Sequence, residues 1–485
     1  MVDSPRNDGL RTVLLALICA ALLLPIWLVQ YPPLLDYPNH LARTFILAHL
    51  DDPAYQFRGF YRADWGPYPY LGMDLTVVAL QRILPIQIAG KVFLSLCVLA
   101  VPLSVWWLMR QADPGNDGMA ALGLLVAYDV FFLEGFGVFQ LGLALAFLTV
   151  GCWLRYLRRP RAGAWVLTLA LAITTYFAHL IAFGIAGFMV VVYTLAERRN
   201  LRDLLRAAAL FMPGGVLYLL SGIAPQSDAE IYYRDWPEKF YDGINVLRHS
   251  YTARMESLVL WAVILCLAIA WARNRELRIR WPWAAVCGGL LVLYLALPDE
   301  IGESWDIDLR VVPALFVALL LAARIGRRQR MVAALAVIIF GIRVADINRN
   351  FVLQQKQMAP MVAAVQALPR NARVLPLIDE HPEDDPLLRV ANHFWAWAVI
   401  QRGARAVYLF DLKGQTPMRV TTDIYIPKRP IEPPLDWGAI ARDYDYVWIE
   451  EYFDLDASLS RIGGKVYDDG HLRLYQLWPA KGAAP

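Results

Sequence analysis

Eleven apolar stretches, separated by short loops that collect arginine, constrain this 485-residue chain more than any other feature. The stretches are 11–29, 87–110, 119–133, 138–156, 164–178, 180–196, 204–222, 257–273, 281–297, 310–324 and 329–345. A run of about 20 apolar residues spans hydrocarbon as a helix. The shorter runs leave room for a tilted or broken span. Four loops hold the basic clusters: Arg155, Arg158, Arg159 and Arg161; Arg198, Arg199, Arg202 and Arg206; Arg273, Arg275, Arg278 and Arg280; and Arg324, Arg327, Arg328 and Arg330. Eleven spans and a cytoplasmic N-terminus put all four loops in the cytoplasm, as the positive-inside rule requires. The chain is 58% hydrophobic and 18% charged, which excludes an ordinary soluble protein of this size. With arginines in loops rather than on one basic face, nucleic acid is not an expected partner.

Leu10 to Val29 is followed by no small-residue cleavage site before Tyr31, so it reads as a retained first span rather than a signal peptide. Cys19, Cys97, Cys152, Cys266 and Cys287 all fall in apolar runs and read as small core residues. Three larger segments then face outward: 30–86, 223–256 and the tail from 346 to 485, with a short outward loop at 298–309. All seven histidines (His40, His49, His179, His249, His381, His393 and His471) fall in or beside outward segments. The tail reads as a small α/β domain. Its strands are "ARVLPLI", "RAVYLF" and "YDYVWIEE", a helix ends at Gly403, and Asp-Asp-Gly lies between the two alternating runs of a hairpin. The expected division is a transmembrane domain, 1–345, and an outward-facing α/β domain, 346–485.

In the first outward loop, Pro32 and Pro33 end the first span, and Asp36-Tyr37-Pro38 opens a new helix. That helix carries Leu41, Phe45 and Ala48 on one side, with Asn39, His40 and Arg43 elsewhere on its circumference, which suits a helix on a membrane surface. "YLGMDLTVVALQRILP", interrupted by Asp74, Gln81 and Arg82, reads as a second surface helix. Asp36 has two readings here, a helix cap or a carboxylate held at the membrane edge.

An acid soon after the first span, two surface helices in the first outward loop, many further spans and an outward tail together resemble the GT-C superfamily of polytopic glycosyltransferases. The resemblance covers the whole chain as architecture. It implies a mostly α membrane fold and a donor sugar carried on a polyprenyl phosphate. It also implies membrane lipid as a partner and transfer to a glycan, lipid or protein hydroxyl on the periplasmic side of a bacterial inner membrane. Many relatives carry two adjacent acids where this chain has Asp-Tyr-Pro-Asn-His, so a divalent metal ion stays open and no metal ligand is assigned. Such a transfer needs a base for the acceptor hydroxyl and cationic groups for the leaving phosphate. Asp36 is the candidate base, with His40 about one helical turn on, and Arg43 is a candidate for substrate contact.

Four further residues are candidates for substrate binding. Asp129 lies inside a span, where an ionisable group usually meets a cavity or a partner. Glu134 sits at the outer end of the same span, in Glu-Gly-Phe-Gly. His179 ends "TTYFAHL" at an outer turn. Arg310 starts a span at headgroup depth, where its guanidinium suits a phosphate, or else pairs locally with Asp306 or Asp308. The acids Asp299, Glu300, Glu303, Asp306 and Asp308 offer a divalent cation a cluster, but their spacing matches no calcium loop and most of them read as solvated. Tyr55, Tyr61, Trp65, Tyr68 and Tyr70 are candidates for stacking on sugar rings.

The chain has no Walker loop, GxSxG elbow, HExxH or dinucleotide fingerprint, which leaves hydrolase, nucleotide-driven pump and metalloprotease readings without support. Two other classes compete. A secondary transporter or lipid flippase would need matched broken helices or an internal repeat, which the sequence does not display. A non-catalytic accessory protein on the same scaffold would leave Asp36 structural. The topology is testable with reporter fusions. Fusions after Arg161, Arg206, Arg280 and Arg330 are expected to report cytoplasm, and one after Pro479 the outer side. A cytoplasmic tail would overturn the arrangement.

Overall fold

The structure, a computed structural model, describes residues 5–223, 230–247, 278–302, 304–326, 329–378, 392–421, 423–428, 434–450 and 455–479. The expected span 257–273, Glu303, His249 and His381 lie outside the described residues. The chain forms two compact units, each discontinuous in sequence. Unit 1 comprises Met1–Leu28, Pro67–Gly72 and Lys91–Asn350, and unit 2 comprises Val29–Gly66, Met73–Gly90 and Phe351–Pro485. This partition does not follow a linear cut at residue 345, because most of segment 30–86 clusters with the tail.

Unit 1 is helical. Apart from 119–133, the expected spans inside the described residues overlap apolar helices. Among the described residues, five helices are long and apolar enough to cross a membrane: Ile86–Ala112, Gly137–Arg158, Leu180–Arg198, Leu201–Leu220 and Gln329–Gln357. Shorter apolar helices include Ala162–Ala178, Trp281–Ala296 and Leu309–Ala322. The helices approach closely where a glycine faces an aromatic ring. A Cβ at Gly151 would lie 2.2 Å from the Trp107 ring, and one at Gly214 would lie 2.3 Å from that of Phe183. Small residues allow such close approach where no solvent drives association.

The expected span 119–133 is broken. Residues Pro114–Val126 form 3₁₀ turns, and a short helix, Val130–Leu133, follows after a gap. The break has a cause in the sequence. Asp129 accepts from the backbone N–H of Phe132 at 3.1 Å and so caps a new helix instead of continuing the old one. Carbonyls released by a break must find donors in apolar surroundings. Arg343, buried in the helix Gln329–Gln357, donates to Leu125 O at 2.6 Å and to Tyr128 O.

Unit 2 is built on a five-stranded sheet of β1 (Arg373–Leu377), β2 (Arg405–Ala406), β3 (Tyr446–Glu450), β4 (Gly463–Asp468) and β5 (Leu472–Leu477). The strand order is β4-β5-β3-β1-β2, with β1 parallel to β2 and β3, and the β3-β5 and β5-β4 pairs antiparallel. The β4–β5 turn uses Asp468, Asp469 and Gly470, the glycine at φ 92°. Asp468 accepts from Gly470 N at 3.0 Å and Asp469 from Leu472 N at 2.7 Å, which closes the hairpin. β2 is shorter than its apolar run because Tyr408 and Phe410 take positive φ, 65° and 52°, and turn the chain away. A separate strand, Tyr61–Ala63, pairs antiparallel with Met418–Val420 and ties the first loop to the tail segment.

The helix Tyr37–Ala48 departs from the expected surface helix. Its apolar Leu41 and Phe45 are buried, but so are Asn39 and Arg43. The polar side is buried because its donors are matched inside unit 2. Arg43 Nε and Nη2 donate to Asp74 Oδ1 and Oδ2 at 2.9 and 3.1 Å, with the two side chains 1% and 0% exposed. The pair joins this helix to Gly72–Leu80, whose Leu75 side remains exposed. Removing one partner leaves the other charge buried and unpaired, which costs about 3–5 kcal/mol, whereas an apolar pair of similar volume is far better tolerated. Asp74→Ala is therefore expected to destabilise the purified protein by about 3–5 kcal/mol. The double variant Arg43→Met/Asp74→Leu should melt closer to wild type than either single change. Single variants that melt like wild type would show that the pair contributes nothing.

Candidate functional site

In unit 2 the candidates Asp36, His40 and Arg43 come together, and His393 joins them. Asp36 occupies the residue before the helix Tyr37–Ala48, yet its side chain makes no capping hydrogen bond. Its Oδ1 instead lies 3.3 Å from His393 Nε2. The two side chains keep 15% and 11% of their surface, so the pair is shielded but not sealed. The capping role is thus not what the carboxylate does in this structure.

The hydrogen bonds of Asn39 fix the proton on His393. Asn39 Nδ2 donates to the Tyr408 carbonyl at 3.1 Å, an acceptor that cannot reverse its role, so the amide orientation is set. The same Nδ2 lies 3.0 Å from His393 Nδ1, which must accept. With Nδ1 as acceptor, the ring proton sits on Nε2, facing Asp36. Phe410 lies beside both imidazoles, its ring centroid 4.8 Å from that of His40 and 5.7 Å from that of His393. His40 Nδ1 lies 3.2 Å from Arg43 Nη1. Burial, then the neighbouring Arg43 and His393, hold the His40 ring well below its ordinary value of 6.5. Arg43 is engaged by Asp74 and His40, so it braces the cluster rather than presenting a guanidinium outward.

In unit 1, His179 and Arg310 come together. His179 separates Ala162–Ala178 from Leu180–Arg198 and caps the second helix by accepting from Ile181 N at 3.2 Å through Nδ1. Its ring proton is therefore on Nε2, 3.5 Å from Arg310 Nη1, so two donor groups converge. Tyr70 and Phe139 meet the imidazole edge to face at 4.7 and 5.1 Å. Arg310, in the 3₁₀ turn Leu309–Val311, lies over the Phe136 ring at 4.8 Å. Glu134 ends the short helix Val130–Leu133, and Gly135 at φ 89° turns the chain so that Phe136 reaches the guanidinium. Gly142 keeps the neighbouring helix clear, because a Cβ there would lie 2.8 Å from His179 Cβ.

Asp129 stands apart from that pair. It is fully buried, caps Val130–Leu133 and accepts from Gln140, so its place is structural support of the broken segment. Of the described acids before Arg310, Asp299, Asp306 and Asp308 are paired rather than solvated. Arg234 pairs with Asp242, Asp299 and Asp306, and Lys239 pairs with Asp308 at 3.1 Å. Both cations come from the segment around helix Trp236–Asn245, and strand Ile231–Tyr232 pairs with Glu300–Ile301, so the two loops are stitched together. Among the described residues, no group of three or more His, Cys, Asp or Glu side chains is placed to hold a metal ion. Of the stacking candidates, Tyr61 is buried and bonded to Ala406 O at 2.7 Å, whereas Trp65 is exposed.

The lowered His40 value makes stability depend on pH. Above about pH 6.5 the ring is neutral in both folded and unfolded chains. Below it the unfolded chain takes up a proton that the folded chain refuses. Stability therefore falls as pH drops, by about 1.4 kcal/mol per pH unit for each such ring, and is intact above that range. His40→Gln is expected to flatten the acid-side decline in melting temperature measured from about pH 7.5 to about pH 5. An unchanged slope would remove His40 as a contributor.

Neither a family model nor a characterised protein sequence matches the chain. Solved structures do. The crystal structure of ArnT from Cupriavidus metallidurans in the apo state matches 97% of this chain and 98% of that one, with a TM-score of 0.57 and 12% sequence identity. The same protein bound to undecaprenyl phosphate matches 99% of this chain and 100% of that one, with a TM-score of 0.53 and 12% identity. The chain therefore shares the fold of these ArnT structures over its full length.

Proposed function

We propose that this protein is an integral-membrane glycosyltransferase. It moves a sugar from a polyprenyl-phosphate-linked donor to a hydroxyl of a glycan, lipid or protein at the outer face of the bacterial inner membrane. The observation that carries this reading is the full-length fold likeness to ArnT, one of whose crystal structures holds undecaprenyl phosphate.

Asp36 is the general base in this proposal. Its freedom from capping and its partial exposure support that role. The acceptor oxygen attacks the anomeric carbon opposite the departing phosphate, so a single displacement inverts that centre. His179 and Arg310 are the proposed phosphate ligands. Their convergent donors suit an anionic oxygen, and the guanidinium offers a planar fork for two oxygens.

The test uses detergent-purified protein and a panel of polyprenyl-phosphate hexoses and pentoses labelled in the sugar, with release of polyprenyl phosphate as the signal. Asp36→Asn is expected to lose on the order of 100-fold to 10,000-fold in rate at unchanged melting temperature. Arg310→Lys keeps the charge but loses the fork, so donor KM should rise. Near-wild-type transfer by Asp36→Asn removes Asp36 as base, and unchanged donor KM in Arg310→Ala removes Arg310 as a phosphate ligand.

A further inference from the structure

We propose that His393 is a positioning residue for Asp36, with Asn39 selecting the tautomer that points a ring N–H at the carboxylate. The inference rests on the reading of Asp36 as base. It adds a residue drawn from a distant part of the chain and gives that residue a defined job.

Three observations converge on it. Asp36 Oδ1 faces His393 Nε2 at 3.3 Å. Asn39 Nδ2 is held by the Tyr408 carbonyl and can only donate to Nδ1, so Nε2 carries the proton. The backbone is strained at this point, with Tyr408 and Phe410 both non-glycine residues at positive φ. Such conformations cost free energy and persist where the surroundings impose them, often at functional sites. Here the first supplies the carbonyl that orients Asn39, and the second places a ring against both imidazoles.

The chemistry follows from the directions of these bonds. The Nε2–H of His393 occupies one oxygen of Asp36 and sets the plane of the carboxylate. The other oxygen takes the acceptor's hydroxyl proton. As that O–H bond breaks, the acceptor oxygen forms a bond to the anomeric carbon. The bond from that carbon to the phosphate oxygen breaks, and its electron pair leaves with the polyprenyl phosphate. Asp36 ends protonated and later returns the proton to water. His393 moves no proton in this sequence; it holds the base in line.

Two measurements on the full-length protein decide the matter. In protein labelled with ¹⁵N-histidine, the His393 resonances, assigned by their loss in His393→Gln, are expected to report the Nε2–H tautomer. Asn39→Asp puts an acceptor on each side of the ring and should add a proton at Nδ1, giving the doubly protonated imidazolium. In the transfer assay with the labelled donor panel, His393→Ala should lower kcat by on the order of 10-fold to 100-fold, because a misplaced reacting group costs about that much. Donor KM should stay close to wild type, and His393→Gln, whose amide N–H can reach the same oxygen, should recover most of the loss. An Nδ1–H tautomer in the wild type, or a wild-type kcat in His393→Ala, overturns the proposal. Failure of Gln to rescue while melting temperature falls in both variants also overturns it in favour of a packing role. A wild type silent toward every donor sinks the glycosyl-transfer reading alone, and the tautomer then decides whether the hydrogen-bond chain exists.

Discussion

The ion pair between Arg43 and Asp74 is the contact on which the unit 2 cluster depends. It is fully desolvated, made through two parallel hydrogen bonds, and it fixes the rotation of the helix Tyr37–Ala48 about its own axis. Asp36 precedes that helix, Asn39 and His40 lie on its first turns, and their directions follow from that rotation. A helix free to roll would lose the alignment of Asn39 with His393. Buried pairs of this kind contribute little net stability but penalise every arrangement that separates the charges.

The two clusters solve different electrostatic problems with similar parts. In unit 2 an imidazole has an acceptor on one nitrogen and an acid before the other, so it serves as a donor to a carboxylate. In unit 1 an imidazole has its acceptor nitrogen used by a backbone N–H and its other nitrogen turned toward a guanidinium. The first arrangement organises a negative group belonging to the protein. The second gathers hydrogen-bond donors and positive charge at one point. In both, the hydrogen bond on the far nitrogen sets what the near one can do.

The helices of unit 1 were legible because hydropathy over about 20 residues is a strong, local signal. The hairpin at Asp468–Gly470 and the stop at Gly403, which takes φ 68°, were legible because each needs only its own residues. The break in the segment 119–133 was not, because it depends on Asp129 capping a new helix and on Arg343 supplying donors from far along the chain. Arg43 looked like a substrate contact because its partner lies 31 residues away in a segment read as a separate surface helix. The same limit hid His393. It stood out in the sequence only as one of seven histidines, and nothing local joins it to Asn39.

Asn39 and His393 are separated by 354 residues, and this has a consequence for how the protein is made. Domains and membrane segments organise progressively as a chain leaves the ribosome. The carboxylate of Asp36 emerges long before the imidazole that faces it. Asp36 and Asn39 therefore lack these partners until the tail has been synthesised, and only then does the arrangement close. A chain halted late in synthesis would carry nearly all of its apolar helices and none of the hydrogen-bond chain. Quality control of the nascent product would then have a specific signature to detect, an exposed acidic turn on an otherwise inserted protein.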